Sequence, residues 1–275
     1  MLPSYLLSLR EGIEAALIVG IVLGALRQMR RTDLASTVWL GVVSASILSV
    51  LAGVLLTMLG LSFEGPAEQI FEGITMLLAA GVLTWMIFWM SRQARNIKGE
   101  LESGVHKATF EGGKQGLFAL AFLAALREGI ELALFLVASV FASDVQQTLI
   151  GAFLGLGTAI LLGWSLFATT VRLDLRRFFR VTGFLLILFA AGLVAQGVHE
   201  FNEAGVIPAV IEHVWDVNPV LDENATLGSM LKALFGYNGN PSLTEVLSYF
   251  AYFVAIFSGL RLSDRKAETA IQPQA

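Results

Sequence analysis

Two five-residue stretches carry ionisable side chains inside otherwise apolar sequence: Arg10-Glu-Gly-Ile-Glu14 and Arg127-Glu-Gly-Ile-Glu131. In each, the glutamates stand three residues apart, so on a helix both carboxylates project from one face. Arg10 precedes Glu14 by four residues and Arg127 precedes Glu131 by four, so each arginine can pair with or orient its neighbour. Carboxylate oxygens in a chain with no cysteine suit a hard cation. Glu72, in Phe71-Glu-Gly-Ile-Thr75, adds a fifth carboxylate with a coordination or access role, with Glu68 and Glu64 preceding it. His199, Glu200 and Glu203 close a later apolar segment and are candidates for cation access. Met86 and Met90 are soft donors at helical spacing, for which packing is the expected role. Five glutamates (Glu11, Glu14, Glu72, Glu128, Glu131) against two arginines leave a charge of −3. A trivalent ion matches that number, but charge counting alone does not separate Fe³⁺ from Fe²⁺, Mn²⁺ or Ca²⁺.

The elements that position these residues follow from composition. Apolar residues make up 56% of the 275 and charged residues 15%, against about 25% charged in a soluble domain. So little charge would not cover a folded core in water, and the class expected is an all-α integral membrane protein. Seven segments reach the roughly 20 apolar residues a spanning helix needs: 4–26, 38–62, 69–91, 116–139, 147–170, 181–199 and 244–262. The first is not a cleaved signal peptide on the usual pattern, because Arg10, Glu11 and Glu14 stand where an apolar core belongs. All but three of the 18 basic residues fall in the segments after spans one, three and five and at or beyond the C-terminal end of span seven. The positive-inside rule then puts the N-terminus outside and the C-terminus in the cytoplasm, in the cytoplasmic (inner) membrane of a cell. The outer side is acidic and would concentrate cations. The net charge of −4 gives no reason to expect nucleic acid as a partner.

The nine residues Leu9–Leu17 recur as Leu126–Leu134 with eight identities, and Ala79-Ala-Gly81 recurs as Ala190-Ala-Gly192. Spans one to three thus read as a duplicate of spans four to six. Because span one runs inward and span four outward, the plan is a 3+3 inverted repeat with a C-terminal helix appended, in which a substrate site lies near the midplane. The expected organisation is one membrane domain over 1–275. It divides into repeat one (1–91), a cytoplasmic loop (92–115), repeat two (116–199), an outer loop (200–243), span seven (244–262) and a cytoplasmic tail (263–275). The outer loop is expected to hold an interfacial helix around Ile207–Trp215. Small residues recur every fourth position as Gly12, Ala16, Gly20, Gly24; Ala121, Ala125, Gly129, Ala133; and Gly151, Gly155, Ala159, Gly163. Such stripes let helices approach closely in lipid, and would allow spans one and four to bring their glutamate pairs together.

The paired motifs, with Phe71-Glu-Gly, Leu83-Thr-Trp-Met86, Phe88-Trp-Met90, Ala190-Ala-Gly192, Glu203-Ala-Gly205 and Phe235-Gly-Tyr237, resemble the oxidase-dependent iron permease family, its bacterial EfeU-type branch above all. That family also includes the high-affinity ferric permeases of fungi. The resemblance covers nearly the whole chain and implies iron import. It assigns the iron-handling role to Glu11, Glu14, Glu128 and Glu131, supporting roles to Arg10 and Arg127, and the span-three glutamate to Glu72. It implies iron as a transported substrate with no permanently bound cofactor, and partners of the oxidase or peroxidase and periplasmic iron-binding kinds. Fungal members carry further acidic and C-terminal motifs that this sequence lacks. Two rival readings are a transporter of another cation such as Mn²⁺ or Pb²⁺ and an intramembrane carboxylate metalloenzyme. The second lacks the Glu-x-x-His and His-Glu-x-x-His motifs its chemistry uses, since the histidines are His106, His199 and His213.

Overall fold

A computed structural model describes the backbone of residues 1–93, 97–142, 145–168, 175–223 and 225–271, and their side chains except at 90–93, 97–98, 100–102, 110–111, 166–168, 175–176, 226, 230, 233 and 263–271. The expectations for Met90, Arg92, Arg95, Lys98, Asp144, Arg172, Arg176, Arg265 and Lys266 fall outside the described side chains. Among the described residues the fold is helical, without a strand. The helices are α1 (Leu2–Gln28), α2 (Ala35–Leu61), α3 (Pro66–Gln93), α4 (Ile97–Glu111), α5 (Gly113–Ala142), α6 (Val145–Ala168), α7 (Leu175–Glu203), α8 (Thr226–Phe235) and α9 (Leu243–Ile271). Segments of α2, α3, α6, α7 and α9 are long and apolar enough to cross a bilayer. Helices α1 and α5 are equally long, and each carries one three-charge motif.

Two elements differ from expectation. Part of the segment expected as a cytoplasmic loop is helix α4, rich in good helix formers and anchored by the buried Val105. The chain around Ile207–Trp215 is irregular, not helical. Pro208 removes a backbone donor there, and Val210 sits at φ 61°. The helix of that segment is α8, closed by Gly236 at φ 66°, a conformation that costs glycine nothing.

Close packing gathers the chain into two units, Met1–Phe63 with Ser91–Leu186, and Glu64–Met90 with Ile187–Ala275. In the first unit, α1 ends in a Schellman turn: Arg31 N–H donates to Leu26 O (2.9 Å) and Arg30 N–H to Arg27 O (3.2 Å). Arg30 takes the left-handed backbone this requires. The turn folds α2 back antiparallel to α1.

Two helix pairs then pack through small residues. A Cβ on Gly12 (α1) would meet the Ala159 methyl (α6) at 2.6 Å, Gly151 and Gly155 (α6) abut Ser4, Tyr5 and Ser8 (α1), and Gly163 faces Ala16. Contacts rise together along both chains, so α1 and α6 run parallel. In the other pair Gly41 (α2) abuts Phe118 and Ala121 (α5), Gly129 (α5) abuts Ser49 (α2), and Gly53 faces Ala133. Helices α2 and α5 therefore also run parallel, and α1 runs antiparallel to α5. The pairings correspond residue for residue once the two motifs are superposed: Gly12–Ala159 with Gly129–Ser49, Gly151–Ser4 with Gly41–Ala121, and Gly163–Ala16 with Gly53–Ala133. The stripes thus join α1 to α6 and α5 to α2; they do not join α1 to α5. Gly24 has open space around it and is not part of a seam.

In the second unit α3 and α7 run antiparallel, with the backbones of Gly73 and Gly197 in contact. Helix α9 joins α3 through Thr84 and the Tyr252 hydroxyl (2.9 Å). The turn after α8 presses Gly236 against Gly192 in the middle of α7, a contact that admits no Cβ on either side. Gln196 donates to the Lys232 carbonyl there (3.2 Å).

Candidate metal centre

Helices carry the two motifs through the first unit in opposite directions, so the glutamates of one meet those of the other. One carboxylate oxygen each from Glu11, Glu128 and Glu131 lies within 4.8 Å of the others. The three residues are 1%, 6% and 7% exposed. Both oxygens of Glu11, and Oε2 of Glu128 and Glu131, are buried without a hydrogen-bond partner among the described residues. Glu14 is not one of the three; its Oε1 lies 3.1 Å from Arg10 Nε. Arg127 Nε donates to Glu131 Oε1 at 3.0 Å and lies 4.0 Å from Glu128 Oε1. The pairs are unequal in setting: Arg10 is buried, whereas a third of the Arg127 side chain is exposed.

Three clustered carboxylates that share one donated hydrogen bond, from Arg127 to Glu131, repel one another and stay poorly solvated. A hard cation supplies what they lack, positive charge at oxygen-ligand distance. Spacing alone put Glu11 with Glu14 and Glu128 with Glu131. The structure keeps the second pair, adds Glu11 across the helix interface, and leaves Glu14 to Arg10.

The other candidates lie in the second unit. Glu72 is half-buried within Coulombic range of Glu200, Glu68 and Glu203. His199 Nε2 is 3.3 Å from Glu203 Oε1, and Gln69 donates to Glu203 Oε2 at 2.9 Å. Glu64 is exposed before the start of α3. The residue that sequence reasoning missed is Glu245, buried in the first turn of α9. Its Oε2 lies 3.4 Å from His199 Nδ1 and accepts from Asn238 Nδ2 at 3.1 Å. The signal was present as Ser242-Leu-Thr-Glu245, a capping-box pattern, and the Glu245 N–H does donate to Ser242 Oγ (3.2 Å).

Comparison with known proteins bears on what such a cluster handles. The model of the iron permease FTR1 family matches residues 1–269. The chain belongs to the iron permease FTR1 family. The ferrous iron permease EfeU of Shigella sonnei (strain Ss046) is 36% identical over 273 residues, 98% of this chain and 99% of the relative. The ferrous iron permease EfeU of Yersinia pestis is 37% identical over 257 residues, 92% and 91% of the two chains. No solved structure matches. Membership in an iron permease family agrees with a helical, multi-pass membrane protein whose class is transport and whose cargo is iron.

Proposed function

We propose that this FTR1-family chain imports iron across the cytoplasmic membrane, with Glu11, Glu128 and Glu131 as the iron ligands and Glu14, held by Arg10, beside them. The observation that carries the reading is the convergence of three buried carboxylates from two motifs, four of their six oxygens without a hydrogen-bond partner among the described residues. Ferrous iron is the form proposed. Relatives at 36–37% identity carry that cargo in their names, and local charge agrees. Arg10 and Glu14 neutralise each other, and Glu11, Glu128, Glu131 and Arg127 together leave −2 for the ion. Glu72, which raised the whole-chain count to −3, belongs to the other unit.

Seven spans, with α1 and α5 crossing despite their charges, and a 3+3 inverted repeat are part of the same proposal. The antiparallel course of α1 and α5 and the matched contacts of the two helix pairs support it. An inverted repeat around a central site suits alternating access. Glu68, Glu72, Glu200 and Glu203, with His199, would gather cations at the outer surface. The exposed Glu64 would add to that field. Periplasmic iron-binding and oxidase or peroxidase proteins are the partners proposed.

The test is uptake into proteoliposomes with Fe²⁺ and Fe³⁺ supplied separately and Mn²⁺ or Pb²⁺ as competitors. Glu128→Gln and Glu131→Gln should each lower the initial rate at least tenfold. Undiminished uptake in both variants would sink the site, and stronger transport of Mn²⁺ or Pb²⁺ than of iron would sink the cargo.

A further inference from the structure

Superposing the two motifs also pairs the ends of the first unit, and the paired ends differ in chemistry. At the end where α1 finishes, Val22, Val38 and Ala121 sit with Leu26, Leu34, Leu117 and the α4 residue Val105 in one continuous apolar cluster. At the end where α1 begins, the corresponding positions are Ser139, Thr148 and Ser4. One turn deeper, Ser8 corresponds to Ala125. All four hydroxyl residues are at most 3% exposed. Ser4 donates to Met1 O (2.9 Å) and Thr148 to Ser139 O (3.4 Å). Ser8 is fully buried, and its hydroxyl has no hydrogen-bond partner among the described residues. Glu11 follows Ser8 by one helical turn, and Ser139 follows Glu131 by about two. The hydroxyls therefore occupy the stretch between the α1 N-terminal end and the carboxylate cluster.

We propose that Ser4, Ser8, Ser139 and Thr148 line the passage by which the cation reaches Glu11, Glu128 and Glu131. The inference rests on the reading of those glutamates as the cation site. Neutral hydroxyl oxygens can replace part of a hard cation's water shell in a narrow passage without adding charge. They hold the ion more weakly than carboxylates do, so it moves inward to the glutamates. Packing alone needs only small residues here, and the matching seam uses alanine where Ser4 and Ser8 stand. The apolar cluster at the other end offers the ion no side-chain oxygen at the matching positions.

The native chain has no cysteine, so single-cysteine variants report directly. In proteoliposomes, Ser8→Cys and Ser139→Cys should react with a small cationic methanethiosulfonate added on the outer side. Fe²⁺ kept reduced should slow both reactions at least fivefold. Ala125→Cys and Val22→Cys, their counterparts, should stay unreactive. Unreactive Ser8→Cys and Ser139→Cys, or reaction that iron does not slow, would overturn the passage. A second variant installs the residues of the apolar end: Ser139→Val with Thr148→Val should raise the KM for iron uptake about tenfold. Equilibrium iron binding by the detergent-solubilised protein should stay within twofold, and Thr148→Ser should restore uptake. If the double variant transports normally while Glu128→Gln loses iron binding, the passage fails and the site stands. If Glu128→Gln binds iron as wild type does, the site reading itself fails.

Discussion

Glu14 and Glu131 occupy equivalent places in the two motifs and sit in different surroundings. Glu131 contributes to the carboxylate cluster, while Glu14 answers the buried guanidinium of Arg10. Replacing Glu14 by Gln removes the carboxylate facing a fully buried cation, a loss worth about 3 kcal/mol when one partner of a buried pair is deleted. Glu14→Gln should therefore lower thermal stability in detergent by several degrees while iron affinity stays within a few-fold. Glu11→Gln should do the reverse, since it relieves repulsion among clustered carboxylates and removes a ligand. Thermal melts and equilibrium iron binding on the two variants decide it, and a matching pair of phenotypes would remove the distinction. The motifs themselves were legible in the sequence because they are near-identical and because charge in apolar segments is rare. Which of four glutamates cluster was not legible, because helical spacing defines a face of one helix, and here the choice lies across an interface.

At the scale of elements, the small-residue stripes of α1, α5 and α6 stand out in the sequence, but their partners do not. The four-residue period of Gly41, Ala45, Ser49 and Gly53 on α2 completes the second seam, and serine at the third position hides it. A stripe states that something packs closely without stating what, so the stripes of α1 and α5 suggest in the sequence that those two helices approach each other. The seams in fact hold α1 to α6 and α5 to α2, leaving the motif faces free to meet. Gly155 and Gly41 abut backbone of the opposite helix, so a side chain there must push whole helices apart. Gly155→Val and Gly41→Val should cost several degrees of thermal stability and most iron uptake. Gly24→Ala and Gly157→Ala, with open space around each, should be silent in both assays. Equal sensitivity at all four positions would contradict the seams. Helix α4 is hidden for a different reason: its polar composition reads as a loop, and the buried residues described in it, Val105 and Thr109, include only one apolar side chain.

For the whole molecule, composition identified a helical membrane protein, but it gives different answers for different helices about how many of them cross. Five helices pass on length and apolarity, and α1 and α5 are the two that carry the motifs. A charge at the bilayer centre costs roughly 3 kcal/mol on insertion scales, so three per helix would argue against crossing if they met lipid. Most of them are withdrawn from the surface: Arg10, Glu11, Glu128 and Glu131 are buried within the first unit, and the arginines, Arg127 with a third of its side chain exposed, pair with Glu14 and Glu131. Burial on folding would thus lower the cost of the proposed crossing of α1 and α5, and hydropathy averaged along a sequence does not register it. The number of crossings has a parity that can be measured. Between Lys107 in α4 and Val220 in the acidic segment lie α5, α6 and α7. If α5 crosses, three spans separate the two residues and they face opposite sides; if it does not, two spans separate them and they face the same side. Both residues are exposed, and a chain without cysteine allows Lys107→Cys and Val220→Cys to be labelled singly with an impermeant maleimide in cells. Val220→Cys should label in intact cells and Lys107→Cys only after permeabilisation. Labelling of both in intact cells, or of neither, would place α5 outside the set of spans and dissolve the inverted repeat with it.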